Sequence, residues 1–153
     1  MGEIPDVKRE ARSALYRTED GGATWVSVAE VNEGHIWGFV VARPDHILLF
    51  GQNGSLYKLA GFNGRLQKLR SGTSLGIADV CVRGSIGLAV GSSGSAQTLR
   101  DSLILVSSDG GEIWRRVKSP IKDTFSGVYL STWERGILVG TKAIYQFRLH
   151  RGN

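Results

Sequence analysis

From Ser13 onward the apolar residues fall in short runs, many of them β-branched, separated by Gly, Asn, Asp and Ser. That pattern predicts many short strands. In chain order they are expected over residues 14–18, 24–29, 35–41, 47–50, 55–59, 65–69, 75–82, 86–90, 102–107, 114–119, 125–131, 135–139 and 143–149. The run 35–41 is almost continuously apolar and reads as an innermost strand buried on both faces, whereas 65–69 alternates as an outer strand does. Residues 1–12 are charged and contain proline, which predicts a flexible segment ahead of one domain over 13–150.

Two of the connecting turns share one plan. Thr18-Glu-Asp20-Gly-Gly22-Ala-Thr-Trp25 and Ser107-Ser-Asp109-Gly-Gly111-Glu-Ile-Trp114 place a hydroxyl residue, Asp, Gly and Trp at the same spacing. Asp and hydroxyl side chains accept hydrogen bonds from nearby backbone N–H groups and so organise a turn. The glycine pair supplies positive φ, and Trp opens the return strand with an N–H to donate. The octapeptide resembles the Asp-box, or bacterial neuraminidase repeat, of sialidases, sortilin-type receptors and photosystem II assembly-factor-like propellers. The resemblance implies a β-propeller in which each box joins the third and fourth strands of a blade. It also implies a structural, non-catalytic role for Thr18, Asp20, Gly22, Trp25, Ser107, Asp109, Gly111 and Trp114. Asp20 and Asp109 lie 89 residues apart, which is two periods of ~40–45 residues, the length of a four-stranded blade. A degenerate copy is expected midway. Leu56-Tyr-Lys58 followed by Gly61-Phe-Asn-Gly64 fits it and echoes Leu15-Tyr-Arg17 before the first box.

Grouped by that period, the strands give a third and fourth strand, two whole blades, then a first, second and third strand. The expected fold is therefore all-β, with propeller-type blades of four antiparallel strands and about three blades per chain. Closed propellers have 4 to 8 blades, and open ends expose strand edges that invite association. A six-bladed homodimer is expected, each N-terminal half-blade meeting the partner's C-terminal half-blade; a monomeric three-blade arc is the alternative. The second whole blade carries an insertion at 95–101, a candidate binding loop.

Composition changes this picture little. The chain has 153 residues, enough for one domain with its own core, and a formal charge of +5. Its 19 basic residues are spread along the chain, and the densest cluster, Arg115-Arg116-Val-Lys118 with Lys122, suits an exposed outer strand; this argues against nucleic acid as a partner. One cysteine, Cys81, excludes an intramolecular disulfide and reads as a small buried hydrophobe. No stretch reaches the ~20 apolar residues of a membrane span, and the N-terminus has no apolar signal-peptide core. A cytoplasmic location is the resulting expectation.

Candidate chemistry is sparse. A sialidase would need an arginine cluster; Ala42-Arg43-Pro44 is the nearest approach to that family's Arg-Ile-Pro-type motif, but it follows the first box and occupies a turn. Arg43, Arg70 and Arg83 stand in unlike strand contexts. His35, His46, His150 and Cys81 show no metal-ligand spacing, and each box has a single carboxylate where calcium wants six to eight oxygens. The glycine-rich 51–54 and 91–94 join strands instead of opening helices, as phosphate loops do. No catalytic set, metal or cofactor is expected. The ligand-binding candidates are His35 and Trp37 at a channel mouth, Lys122 and Asp123 where one blade passes to the next, and Trp133 in a loop. The first functional reading is a non-enzymatic interaction scaffold for a protein or peptide. A lectin-like carbohydrate-binding propeller is the alternative, favoured if Trp37 or Trp133 is exposed, and a sialidase-like glycoside hydrolase comes third.

Overall fold

The computed structural model describes residues 13–61, 64–93 and 102–150. The 1–12 segment, the 95–101 insertion and Phe62-Asn63 of the degenerate middle turn lie outside these described residues. Thirteen strands appear among the described residues: β1 (Ser13–Arg17), β2 (Val26–Val31), β3 (Ile36–Arg43), β4 (His46–Gly51), β5 (Leu56–Leu59), β6 (Leu66–Lys68), β7 (Gly76–Arg83), β8 (Ile86–Ser92), β9 (Ser102–Ser107), β10 (Arg115–Arg116), β11 (Phe125–Leu130), β12 (Arg135–Gly140) and β13 (Ile144–Arg148). They form four antiparallel sheets in chain order: β1-β2, β3-β4-β5-β6, β7-β8-β9-β10 and β11-β12-β13. This is the expected grouping, two whole four-stranded sheets flanked by two partial ones. Among the described residues no helix is long and apolar enough to cross a membrane.

The repeat is visible at atomic scale in the innermost strands. Each breaks register at the same place, between Ile36 and Gly38, Ile77 and Asp79, and Phe125 and Gly127. A β-bulge there bends the strand and sets one residue out of the ladder: Trp37, Ala78 and Ser126 in turn. The strand paired with each must then pass very close. A Cβ on Gly51 would stand 2.0 Å from the His35 carbonyl oxygen, and one on Gly91 would stand 1.9 Å from that of Gly76. Only glycine permits that approach. Neighbouring innermost strands run side by side, with the Val128 N–H donating to Asp79 Oδ2 at 2.8 Å and Arg83 Nη1 to the Leu130 carbonyl at 3.3 Å.

Three cores lie between successive sheets. Leu48, Phe50 and Leu56 meet Ile77, Leu105 and Trp114 between the second and third sheets. Leu88 and Val90 meet Val128, Leu130 and Leu138 between the third and fourth. Val31, Ile47, Leu49 and Tyr57, with Leu15 and Ala29, join the first sheet to the second. Each inner strand thus needs a neighbouring sheet on both sides to bury its alternate residues.

That requirement corrects the reading of residues 35–41. β3 is covered on one side only; Trp37, Phe39 and Val41 are 52%, 62% and 50% exposed. β4, the second strand, is instead buried along its whole length. The reason is that the first sheet contains only β1 and β2, the outer pair of a blade, so among the described residues nothing covers the inner half of the second sheet on that side. The fourth strands β6 and β10 are shorter than expected, three and two residues, as edge strands with one neighbour often are. Cys81 is half-buried rather than buried, against the core between the third and fourth sheets.

Candidate functional site

The two repeated turns have the same internal wiring. In the first, the Thr18 hydroxyl donates to Asp20 Oδ1 at 2.8 Å and accepts from the Gly22 N–H at 2.8 Å; the Thr24 N–H donates to the same Asp20 oxygen at 2.9 Å. In the second, the Ser107 hydroxyl donates to Asp109 Oδ1 at 2.7 Å and accepts from the Gly111 N–H at 2.9 Å, and the Ile113 N–H donates to Asp109 at 3.0 Å. Each Trp closes its turn by donating its indole N–H to a glycine carbonyl, Gly22 at 3.0 Å and Gly111 at 2.9 Å. Gly21, Gly22, Gly110 and Gly111 all have φ between 72° and 98°, the left-handed region the turn demands. Hydrogen bonds from the Thr24 hydroxyl and N–H and from Thr18 hold Asp20 at a pKa of about 2. At Asp109 burial pushes the other way, but the Ile113 and Glu112 N–H groups and the Ser107 hydroxyl outweigh it, and the pKa is lowered. Both carboxylates are spent on their own turns.

Their surroundings differ. Trp114 is 6% exposed, set in the core between the second and third sheets, and a Cβ on Gly111 would meet Leu48. Trp25 is 60% exposed, because among the described residues no sheet precedes the first.

The structure scatters the five ligand-binding candidates. His35 and Trp37 lie at the start of β3, and Lys122 and Asp123 just ahead of β11, whereas Trp133 follows the far end of β11, one strand length away. Asp123 is buried, not offered to solvent. Its carboxylate accepts the Thr141 hydroxyl at 2.6 Å, the Thr124 N–H at 2.7 Å, the Tyr145 hydroxyl at 2.9 Å and the Lys142 N–H at 3.1 Å. Burial opposes its charge, but these donors outweigh that and bring its pKa to about 2. Asp123 therefore ties the loop before β11 to the β12–β13 turn. Lys122 is exposed in a separate groove with Arg116 and Lys118, and its carbonyl accepts from Lys142 Nζ at 3.0 Å. Trp133 is 45% exposed in the β11–β12 turn beside Glu134. The arginines of the hydrolase reading do not converge either: Arg43 and Arg83 end β3 and β7, while Arg70 sits before β7.

Trp37 opens onto an apolar cleft. This cavity of about 220 Å³ lies between β1–β2 and β3, lined by Leu15, Ala29, Val31, Trp37, Phe39 and Leu49. It is the place a blade's first and second strands would fill. Its rim continues onto exposed Val41, and the β1 edge facing it has no strand partner among the described residues.

A second feature was not legible beforehand. Glu112, inside the second box, reaches the preceding sheet, where Lys58 Nζ donates to it and His46 Nδ1 lies at 3.4 Å. Arg43 Nη2 donates to that same His46 nitrogen at 2.8 Å, which places the ring proton on Nε2. His46 is 1% exposed, its Nε2 has no hydrogen-bond partner, and burial lowers its pKa against the pull of Glu112. The box turn thereby clasps two sheets together.

No family model and no curated protein matches the chain. Solved structures do. YCF48 from Cyanidioschyzon merolae superposes with a TM-score of 0.67 at 18% identity, over 92% of this chain and 45% of its own. The fold is of β-propeller type. A structure titled YCF48 bound to D1 peptide gives a TM-score of 0.59 at 18% identity, over 74% of this chain and 36% of its own. The chain thus spans less than half the length of either propeller, and at this identity the likeness is one of fold.

Proposed function

We propose that the chain is a non-enzymatic interaction module that binds a protein or peptide partner in the apolar cleft beside β3. The observation that carries this reading is the row Trp37, Phe39 and Val41, half or more exposed on an innermost strand and continuous with the cleft. An apolar strand face open to water attracts another apolar surface, and such rows mark interaction sites. At about 220 Å³ the cleft is smaller than the ~300–1,000 Å³ of small-molecule pockets. It suits inserted side chains or an added strand, and the β1 edge, which has no strand partner among the described residues, offers the backbone groups such a strand would use. A propeller of similar fold bound to a peptide is consistent with this reading. On this reading the two boxes serve the fold, as Asp-boxes do.

A lectin-like reading has one observation in its favour, the exposure of Trp37 and Trp133. Sugar rings need hydroxyl partners beside a stacking surface, and the surroundings of Trp37 are almost wholly apolar. Selection of displayed random peptides on the immobilised chain, with Phe39→Asp as counter-selection, tests the reading beside a glycan array and fluorogenic glycosides. Micromolar peptides that bind the wild type and lose the variant are expected. Glycan binding without peptide binding would replace the proposal with the lectin reading, and glycoside turnover would remove its non-enzymatic part.

A further inference from the structure

We propose that the partner is a second copy of this chain, the uncovered face of β11–β13 in one copy packing on Phe39 and Val41 of the other. This rests on the reading of the β3 cleft as a protein docking site. The repeat supplies the argument. Aligned on the bulges and on the Val-Gly pairs at 90–91 and 139–140, Ile137 and Val139 stand where Leu88 and Val90 stand in the third sheet. Phe39 and Val41 likewise stand where Val128 and Leu130 stand in the fourth. Inside one chain, Leu88 and Val90 pack with Val128 and Leu130 in one core, and all four are 8% exposed or less. A second copy offers the corresponding side chains at the two open faces the same partners. They are uncovered: Tyr129 56%, Ile137 38%, Val139 41% and Ile144 70% on the one face, Phe39 62% and Val41 50% on the other.

The two faces differ, so the contact is heterologous, and repeating it between two copies closes a ring. With Trp37 included, each face presents about 350 Å² of exposed side chain, so a single contact buries about 700 Å² and a closed pair about 1,400 Å². Only the closed pair reaches the standard size of a specific interface. One slot is claimed twice, since β1 and the partner's β13 are both third strands. β13 brings Tyr145 and Phe147 into a core, β1 only Leu15. β1 is therefore the strand that moves aside, leaving β2 as the fourth strand beside the partner's β13.

Light scattering across micromolar to submillimolar concentrations tests this with four samples: wild type, Phe39→Asp, Ile137→Asp and an equimolar mixture of the two variants. The wild type is expected at twice the chain mass, and each variant alone at the chain mass with association weakened at least ~30-fold. The mixture associates more tightly than either variant alone but more weakly than the wild type, because only one of its two contacts is intact, the β11–β13 face of the first variant on the β3 of the second. Phe39→Ala, which adds no charge, weakens association in the same direction, and removal of residues 1–17 leaves it at least as tight. Near-UV circular dichroism confirms that the variants are folded. A wild type that stays at the chain mass, a loss confined to one variant, a mixture that associates no more tightly than either variant alone, or a weaker dimer after removal of 1–17 overturns the inference. A monomeric wild type that still binds the selected peptides overturns it alone and leaves the proposed function standing.

Discussion

Trp25 and Trp114 occupy the same place in the same octapeptide and make the same indole hydrogen bond, yet their removal should cost very different amounts. Trp114 is 6% exposed in a core shared by two sheets. Truncation to Ala there forfeits a large buried ring and leaves a cavity, about 4 kcal/mol by comparison with other buried aromatics. Trp25 is 60% exposed, so only about 100 Å² of its ring leaves water on folding, and Trp25→Ala should cost about 1–2 kcal/mol. For a chain of this size each kcal/mol moves Tm by roughly 2–4 °C. The assay is urea unfolding followed by far-UV circular dichroism, on protein dilute enough to be monomeric and with the slope m compared between variants. Trp114→Ala should lose about 2–3 kcal/mol more than Trp25→Ala. Equal losses would refute the claim that the second turn is clamped to a preceding sheet and the first is not.

Other expectations follow from the same geometry. Gly91→Ala drives a Cβ to 1.9 Å from the Gly76 carbonyl oxygen and should cost about 3 kcal/mol or more in the same unfolding assay, the upper end of overpacking. Gly84→Ala, with φ of 62° and open space around it, should cost only about 1 kcal/mol of backbone strain. His46 is held neutral by burial, its folded pKa below the ordinary value near 6.5. The unfolded chain then binds more protons as pH falls below about 6.5, so the stability this group contributes is present above that pH and lost below it. Urea midpoints at pH 7 and pH 5 should show that loss in the wild type and a smaller one in His46→Leu. Asp20 and Asp123, both lowered to about 2, contribute stability above about pH 4 that disappears between about pH 4 and pH 2; the acid limb should flatten in Asp123→Asn.

Much of this architecture can be read from the residues, because blades are local objects. A strand, a two-residue turn and a Gly after the second strand are written within one repeat, so thirteen strands and their grouping follow from apolar runs and the spacing of two boxes. What is not local was not legible. The 35–41 run looks like a doubly buried strand because its residues are those of one; that Phe39 and Val41 face water depends on which strands the first sheet lacks. Asp123 looks like a loop carboxylate, and only the fold brings Thr141, Lys142 and Tyr145 around it. Glu112 is an unremarkable position within the box, and its reach to Lys58 and His46 depends on how one sheet lies against the next. Trp37 stands out in the sequence as an aromatic at a strand start, but its half-exposure depends on a bulge and on the strands that the first sheet lacks, neither of which a sequence pattern of period two reveals.

The central claim is that β3 presents its uncovered side chains to a partner, and hydroxyl-radical footprinting with mass-spectrometric readout at single residues tests it most directly. Phe39, 62% exposed, should be labelled far faster than Phe125, 1% exposed, in dilute protein. Raising the concentration, or adding a selected peptide, should then protect Trp37, Phe39 and Val41 while leaving the labelling of Trp133 unchanged. A Phe39 already protected in dilute monomer, or one labelled equally in the presence of every binding partner, would contradict the account.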